Sequence, residues 1–350
     1  MRHKYLKLIV AALVVAGGVV VASSASNAAA ERTSMAPTVS ASGSRNPAKF
    51  WTWARVRKAT PRDFVFDRST GSFRSARRQK AMRLDMFTNL GASWTSGGAV
   101  ATTTGRVFFA LGTNYYSCSG TVVDDNGTSN RSVVVTAAHC AYDETRDIWA
   151  TNWIFVPDYD SSPAAFTTSG SFCESTTYGC WSAKSLVVPK TFADQPSFND
   201  TAVKHDYAFA VVSLGGTKNT HLDAEVGDQA IDFTTRDNEA NTWIFGYPAQ
   251  GKYRGNDLVY CKGLLGWDPA LDWSTYRLPC RMTGGASGGP WFSPFFDSGQ
   301  SVGTGTIFSV TSYSYGGSKA LYGSIFGAET QQMLAVAFTI APGNSLFQQP

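Results

Sequence analysis

Long apolar runs and helical periodicity are scarce in this chain. After residue 22, no stretch is long and apolar enough to span a bilayer, which argues against a later membrane span. Helical periodicity is convincing only from Glu329 to Phe338. Short apolar runs, interrupted by Gly, Asn, Asp and Ser, occupy most of the last 250 residues. The sequence therefore predicts an all-β fold with a short helix near the C-terminus.

The cysteines lack CxxC spacing, and the histidines do not cluster beside them, so we expect no metal site. There are six cysteines: Cys118, Cys140, Cys173, Cys180, Cys261 and Cys280. In an oxidising compartment, six cysteines can form three disulfides, in about 15 alternative pairings. Sequence proximity favours pairing each cysteine with its neighbour in the chain: Cys118–Cys140, Cys173–Cys180 and Cys261–Cys280.

The first 30 residues have the three parts of a secretory signal peptide. A basic start holds Arg2, Lys4 and Lys7, an apolar run extends from Leu8 to Ala22, and Ala28-Ala29-Ala30 offers a cleavage site. The alternative is a membrane anchor, but a spanning helix needs about 20 apolar residues and this run is shorter. We therefore predict that residues 1–30 direct an extracellular, secreted protein.

Acidic residues are rare in the first part of the chain. Residues 1–97 hold 16 Lys and Arg against 4 Asp and Glu, whereas residues 98–350 hold 14 against 22. A basic stretch can bind nucleic acid, but an acidic domain of the same chain is the simpler partner. We predict that residues 31–97 are a pro-segment rather than a solvated arm, and dibasic Arg77-Arg78 offers a cleavage site. We expect no nucleic acid, no membrane anchor and a monomer.

The predicted globular domain spans residues 98–345, with a junction between two halves near 215–235. Gly105–Leu111 and Tyr115–Val123 have the pattern of a hairpin. Further strands are predicted at Ser132–Thr136, Trp153–Val156, Ser185–Val188, Tyr207–Leu214, Thr242–Gly246 and Val302–Tyr313. Many short strands of this kind indicate a barrel or a sandwich.

Histidine is rare, with four in the chain: His3, His139, His205 and His221. A serine nucleophile needs a general base that titrates near neutral pH, and histidine is the usual one. His139 directly follows an apolar strand, within Thr-Ala-Ala-His-Cys. A lone histidine is more often structural, but this context favours a base on a rigid strand end.

Ser287 lies in a glycine-rich stretch, Gly284-Gly285-Ala286-Ser287-Gly288-Gly289-Pro290. Glycine clusters usually mark loops. Here the backbone N–H groups of Gly285 and Ser287 could converge as an oxyanion hole, because glycine permits the backbone angles that this needs. We therefore predict Ser287 as a nucleophile.

Asp206 precedes an apolar strand and lies between His139 and Ser287 in the chain. A buried carboxylate there can accept a hydrogen bond from Nδ1 of the histidine and hold its tautomer. The order His, Asp, Ser argues against an α/β-hydrolase, which needs its histidine after the serine. The subtilisin order would need an aspartate before His139, and the motifs around Asp124 and Asp125 do not suit it.

These three motifs resemble the active-site motifs of chymotrypsin-like serine proteases, over residues 98–345. The resemblance is closest to a bacterial, glutamyl-endopeptidase-like branch with a signal and a pro-segment. It implies two six-stranded antiparallel β-barrels with the site between them, a cystine beside the histidine, and no cofactor. His139 and Asp206 would belong to the first barrel and Ser287 to the second.

The chain departs from trypsins at two positions. Ala286 replaces the aspartate that pairs with a new N-terminus, so activation by that route cannot operate. Arg281 replaces the aspartate six residues before the nucleophile, so it either favours an acidic substrate side chain or points to solvent. Ser309 is similar in placing to the strand that pairs with substrate backbone.

The sequence therefore predicts a secreted serine endopeptidase that acts through His139, Asp206 and Ser287 and an acyl-enzyme. Two alternatives stay open: a catalytically silent homologue that acts as a binding module, and a secreted esterase that uses the same triad.

Overall fold

The computed structural model describes residues 46–76, 91–125, 127, 130–160 and 171–349, all within one compact unit, Met35–Pro350. The predicted signal peptide, the first part of the predicted pro-segment and Arg77-Arg78 lie outside the described residues. In the described part of the chain, no helix is long and apolar enough to cross a membrane.

The described elements are mostly strands, as the short apolar runs predict. The strands are β1 (Thr60–Pro61), β2 (Phe64–Asp67), β3 (Ser72–Ser75), β4 (Ala92–Ser93), β5 (Thr104–Leu111), β6 (Asn114–Val123), β7 (Val133–Thr136), β8 (Tyr142–Asp143), β9 (Ile148–Trp149), β10 (Thr151–Pro157), β11 (Trp181–Pro189), β12 (Ala208–Val212), β13 (Ala230–Ile231), β14 (Asn241–Gly246), β15 (Val259–Leu264), β16 (Gly266–Trp267), β17 (Thr275–Pro279), β18 (Pro290–Phe295), β19 (Gly305–Tyr315), β20 (Ala320–Ser324) and β21 (Ser345–Phe347). The α-helices are α1 (Pro47–Phe50), α2 (Trp53–Lys58), α3 (Ala99–Thr103), α4 (Lys190–Ala193), α5 (Asp200–Lys204), α6 (Leu222–Val226) and α7 (Ala328–Thr339).

Six antiparallel strands form a closed barrel in the order β6-β5-β10-β11-β12-β7, and β6 closes it by pairing with β7. The predicted hairpin is β5 with β6, paired from Thr104–Thr121 to Leu111–Asn114. Strands β7 and β12 are buried along their whole length. Their β-branched and small residues suit a strand covered on both faces.

A second antiparallel sheet follows in the order β17-β20-β19-β18-β14-β15. Strand β16 extends this sheet beside β17, and β4 extends it beside β15. A disulfide joins β15 to the end of β17, because Cys261 in β15 is bonded to Cys280, the residue after β17. The other two disulfides, Cys118–Cys140 and Cys173–Cys180, are also the pairs that sequence proximity favours. The all-β prediction and the C-terminal helix, α7, are confirmed.

Residues 46–76, here called the N-terminal segment, pack against both sheets. Trp51 is 1% exposed and donates from its indole nitrogen to the backbone oxygen of Asn152 at 2.6 Å. Strand β1 pairs parallel with β6, and β2 pairs parallel with β19. The segment therefore crosses from the barrel to the second sheet.

Candidate active site

His139 lies in a 3₁₀ turn, Ala138–Cys140, directly after strand β7 of the barrel. The turn is anchored by the Cys118–Cys140 disulfide, which ties it to β6. The His139 side chain is fully buried. A rigid strand end and a cystine therefore fix where the imidazole points.

Asp206 holds His139 through two hydrogen bonds. Its Oδ2 lies 2.7 Å from Nδ1 of the imidazole, and its Oδ1 accepts from the backbone N–H of His139 at 2.9 Å. Asp206 lies between α5 and β12, and its side chain is fully buried. Ser312 of β19 donates to the same Oδ2 at 2.5 Å. The carboxylate thus orients the imidazole and selects the tautomer with a proton on Nδ1.

Ser287 lies at the tip of the glycine loop before β18. Gly285 has φ +104°, and a Cβ there would lie 2.6 Å from the backbone oxygen of Tyr247. Gly288 has φ +78°, and a Cβ there would lie 2.1 Å from Oγ1 of Thr136. Both the left-handed angles and the close contacts require glycine at these two positions.

The loop is held against the barrel by Ser119 of β6. The Ser119 hydroxyl donates to the backbone oxygen of Gly285, and its backbone N–H donates to the backbone oxygen of Ser287, both at 2.8 Å. Strand β6 also carries Cys118, which is bonded to the residue after His139. One barrel strand therefore positions both the histidine turn and the serine loop.

Asp63 of the N-terminal segment occupies the space in front of Ser287. The Ser287 hydroxyl donates to Oδ1 of Asp63 at 2.7 Å. The backbone N–H of Gly285 points at the same carboxylate, 3.2 Å from Oδ1 and 3.0 Å from Oδ2. One of the two predicted oxyanion donors is therefore aimed at a side-chain carboxyl group of the chain itself.

Arg62, the neighbouring residue, contacts His139. Nε2 of the imidazole lies 2.9 Å from the backbone oxygen of Arg62, while Nδ1 faces Asp206. A neutral imidazole has one donor and one acceptor nitrogen, so two acceptors are satisfied together only by the doubly protonated ring. In this arrangement His139 has no free nitrogen to accept the serine proton.

The Arg62 side chain fastens the segment to the barrel. Its Nε donates to the backbone oxygen of His139 at 2.8 Å, and its guanidinium lies 3.3 Å from Asp143 and 3.8 Å from Glu144. The arginine is 8% exposed. Burial raises the pKa of Glu144, although Arg62 acts in the opposite direction. A cation of the basic segment thus pairs with two acids at the end of β8, shortly after the His139 turn.

The Asp63 carboxylate is buried, and burial raises its pKa. Hydrogen bonds from Ser287 and Gly285 and the nearby charges of His139 and Arg62 oppose this effect without cancelling it. The site therefore does not favour a negative charge strongly enough to overcome its removal from water.

A pocket opens beside Ser287. Besides residues of the N-terminal segment, it is lined by apolar and uncharged polar residues: Met282, Thr283, Gly284, Ala286, Ser287, Thr311, Ser312, Tyr313, Ser314 and Leu321. Arg281 is not among these described lining residues. Ser309 is also outside this set, because its fully buried side chain donates to the backbone oxygen of Ser324 at 2.6 Å. The cleft side of β19 begins two residues later, at Thr311.

The structure thus brings His139, Asp206, Ser287 and Gly285 together, and it does not bring Arg281 or Ser309 to the pocket. Sequence reasoning missed Asp63 and Ser312. The sequence marks Ser312 only weakly, because the same strand also contains Ser309 and other serines. Only the register of the strand determines which serine faces the site. Asp63 has no local signal, since its contact with Ser287 joins residues 224 positions apart.

Several solved protease structures share this fold with the chain. The chain is 34% identical to the protease Anisep of Arthrobacter nicotinovorans, with a TM-score of 0.55, over 68% of this chain and 96% of that one. It is 31% identical to the thermostable serine protease AL20 of an extremophilic microorganism, with a TM-score of 0.56, over 69% and 100%.

A Glu endopeptidase matches at 16% identity and a TM-score of 0.53, over 73% and 100% of the two chains, which supports the fold alone. No protein-family model and no curated protein matches the chain. The identity to Anisep and AL20, over two thirds of this chain and nearly all of theirs, is high enough to indicate common descent. The chain therefore belongs to the chymotrypsin-like serine proteases and is a serine endopeptidase.

Proposed function

We propose that this chain is the secreted precursor of an endopeptidase that uses His139, Asp206 and Ser287 as its triad. One observation carries the proposal: two consecutive residues, Arg62 and Asp63, hydrogen-bond to Nε2 of His139 and Oγ of Ser287. The two reactive atoms therefore face one common space of the size of a dipeptide, where a substrate would bind.

In the uncovered site, Oγ of Ser287 attacks the peptide carbonyl carbon while Nε2 of His139 takes the serine proton. The Asp206 carboxylate stabilises the resulting imidazolium through Nδ1. The backbone N–H groups of Gly285 and Ser287 donate to the oxyanion. His139 then gives the proton to the leaving amine, and water hydrolyses the acyl-enzyme by the reverse steps.

The N-terminal segment is proposed as the inhibitory part of the pro-segment. It offers Ser287 a side-chain carboxylate rather than a carbonyl carbon that can be attacked. The backbone oxygen of Arg62 lies 2.9 Å from Nε2 of His139, and the backbone oxygen of Asp63 accepts from the backbone N–H of Ala76 at 2.8 Å. Inhibition without cleavage follows, because the hydroxyl of Ser287 donates its hydrogen bond to Asp63 and His139 has no free nitrogen to accept the serine proton.

Secretion is the proposed fate of the chain. Three disulfides within the described residues suit an oxidising compartment. In this proposal, the predicted signal peptide, residues 1–30, directs secretion. The protease domain begins near residue 98, as the sequence predicts.

The test compares peptide and ester hydrolysis by the processed protein with that of Ser287→Ala. A peptide-bond cleavage that disappears in the variant supports the endopeptidase. Ester cleavage without peptide cleavage would favour the esterase, and no hydrolysis by a folded, processed chain would favour the silent homologue.

A further inference from the structure

The outer edge of β19 beside the pocket is covered only by the N-terminal segment in the described part of the chain. Residues Tyr313–Tyr315 pair with Phe64–Phe66 of β2 on one side, and Tyr313 and Ser314 pair with β20 on the other. Release of the segment frees one row of backbone donors and acceptors. An extended peptide can add to such an edge, with alternate side chains entering neighbouring subsites.

Two tyrosines of this edge already bind aromatic side chains. The ring of Phe66 lies 5.2 Å from that of Tyr315, at 75°, and the ring of Phe73 lies 5.3 Å from that of Tyr313, at 86°. Both are edge-to-face contacts, which aromatic pairs prefer. Tyr322 of β20 supports both tyrosine rings, stacked on Tyr313 at 4.9 Å and edge-on to Tyr315 at 4.8 Å.

Asp268 binds the hydroxyl groups of both tyrosines. Its Oδ2 accepts hydrogen bonds from the hydroxyl of Tyr313 at 2.7 Å and from that of Tyr315 at 2.5 Å. Its Oδ1 accepts from the backbone N–H of Ala270 at 3.0 Å, and the residue is 2% exposed. Because residues two apart on a strand share one face, a single carboxylate can fix both rings.

The two hydroxyls remain donors over the range in which proteins are folded. Burial raises the pKa of Tyr313 and that of Tyr315, and Asp268 raises both further. Thr275 of β17 adds a hydrogen bond of 2.8 Å to the Tyr313 hydroxyl. The rings are therefore pre-organised before any peptide arrives, which reduces the entropy lost on binding.

We propose that Asp268 is a positioning residue for substrate recognition, which holds Tyr313 and Tyr315 as a subsite for an aromatic side chain of the peptide substrate. In the N-terminal segment, Asp63 contacts Ser287, and Phe66, three residues later, contacts Tyr315. Three residues of extended chain therefore separate the nucleophile contact from the tyrosine contact. This is about 10 Å. The preferred substrate carries its aromatic residue about three positions from the cleaved bond. This inference rests on the endopeptidase function proposed above.

The experiment uses the processed enzyme, with active sites counted by a fluorophosphonate. Two peptides are compared that differ only in Phe or Ala three positions from the cleaved bond, and a second pair places the change on the other side. For one of the pairs, KM of the wild type is expected to be about tenfold lower for the Phe peptide.

Asp268→Asn is expected to remove this difference by raising KM for the Phe peptide. Its kcat on a single-residue ester, which cannot reach the subsite, should remain unchanged. Asp272→Asn is the matched control, because Asp272 lies on the same turn and is exposed. Tyr315→Leu, which keeps an apolar side chain without the ring, should raise the same KM even if Asp268→Asn does not fold.

Equal KM values for Phe and Ala peptides in both wild-type pairs would overturn the inference. So would an equal loss on ester and peptides in Asp268→Asn together with an unchanged preference in Tyr315→Leu. Absence of fluorophosphonate labelling would instead overturn the endopeptidase function, and the inference with it. Labelled enzyme without a Phe preference would overturn the inference alone.

Discussion

The hydroxyl of Ser287 donates its hydrogen bond to the carboxylate of Asp63, at 2.7 Å. A hydroxyl has one proton, so this bond directs the proton of the proposed nucleophile away from His139. The backbone oxygen of the residue before Asp63 faces Nε2 of the histidine. Two adjacent residues of the N-terminal segment thus engage both ends of the proton transfer that catalysis needs.

Asp63→Ala is expected to accelerate fluorophosphonate labelling of the unprocessed chain. The effect comes from the lost hydrogen bond between the Ser287 hydroxyl and the carboxylate, and one bond to a charged group contributes about 1.5–3 kcal/mol. Labelling should therefore be about ten- to a hundredfold faster. Asp67→Ala is the control, because the Asp67 carboxylate accepts hydrogen bonds from Ser69 and Arg74, which both belong to the segment. Equal rates in Asp63→Ala and wild type would contradict the inhibitory role.

Docking of the N-terminal segment is expected to weaken as the pH rises. Burial raises the pKa of Asp63 above its value in the free segment, so docking takes up a proton. The resulting stabilisation is present below the free-segment pKa and is lost as the pH rises through the docked one. Inhibition of the processed enzyme by a synthetic peptide of residues 60–76 measures this.

The peptide with Asp63→Asn isolates the contribution of Asp63 to the pH dependence. Its neutral side chain removes that contribution, so the pH dependence that remains comes from other groups of the peptide and the enzyme. An unchanged pH profile with the Asn peptide would contradict the role assigned to the carboxylate.

Asp206→Asn is expected to lower kcat by about 10⁴-fold, because an amide favours the wrong histidine tautomer and cannot stabilise the imidazolium. KM should change little, since Asp206 is buried behind His139 and lies outside the set that lines the pocket. Steady-state kinetics of the processed variant measure both constants. A kcat within tenfold of the wild type would argue that another group orients the base.

Arg281→Ala is expected to leave the side-chain preference of the pocket unchanged. The lining residues are apolar or carry hydroxyls, and Arg281 is not one of them. When a peptide library is cleaved by the wild type and by Arg281→Ala, both enzymes should prefer uncharged residues at the cleaved bond. A preference of the wild type for an acidic residue that disappears in Arg281→Ala would contradict this prediction. It would support the alternative that Arg281 favours an acidic substrate side chain.

Removal of the Cys118–Cys140 disulfide is expected to destabilise the protein. The bond closes a loop with a sequence separation of 22. Such a loop corresponds to about 3 kcal/mol of unfolding free energy. Denaturant unfolding of the double variant Cys118→Ala/Cys140→Ala measures the loss, with the short-loop pair Cys173→Ala/Cys180→Ala for comparison. A larger loss for the short loop would contradict the loop-length argument.

Two residues of the proposed triad can be predicted from the sequence because local chemistry marks them. His139 follows a β-branched strand and precedes a cysteine, and Ser287 lies among glycines that the backbone requires. The disulfides followed from proximity along the chain. Each of these signals lies within about 20 residues of the group it identifies.

The residues that cover and shape the site could not be predicted in the same way. Asp63 and Asp268 act over 224 and 45 residues of chain, respectively. Asp268 also has the local pattern of an ordinary turn aspartate, since it caps the 3₁₀ turn Pro269–Leu271. The sequence points to Ser309 rather than Ser312, because the alternation of the strand does not specify where the cleft begins.

The most direct test of the central claim is to react the processed protein with a fluorophosphonate and to identify the labelled residue by mass spectrometry. We predict a single label on Ser287, no label on Ser287→Ala, and no label on the wild type after denaturation. A folded, processed chain that is not labelled, or is labelled at another serine, would contradict the account.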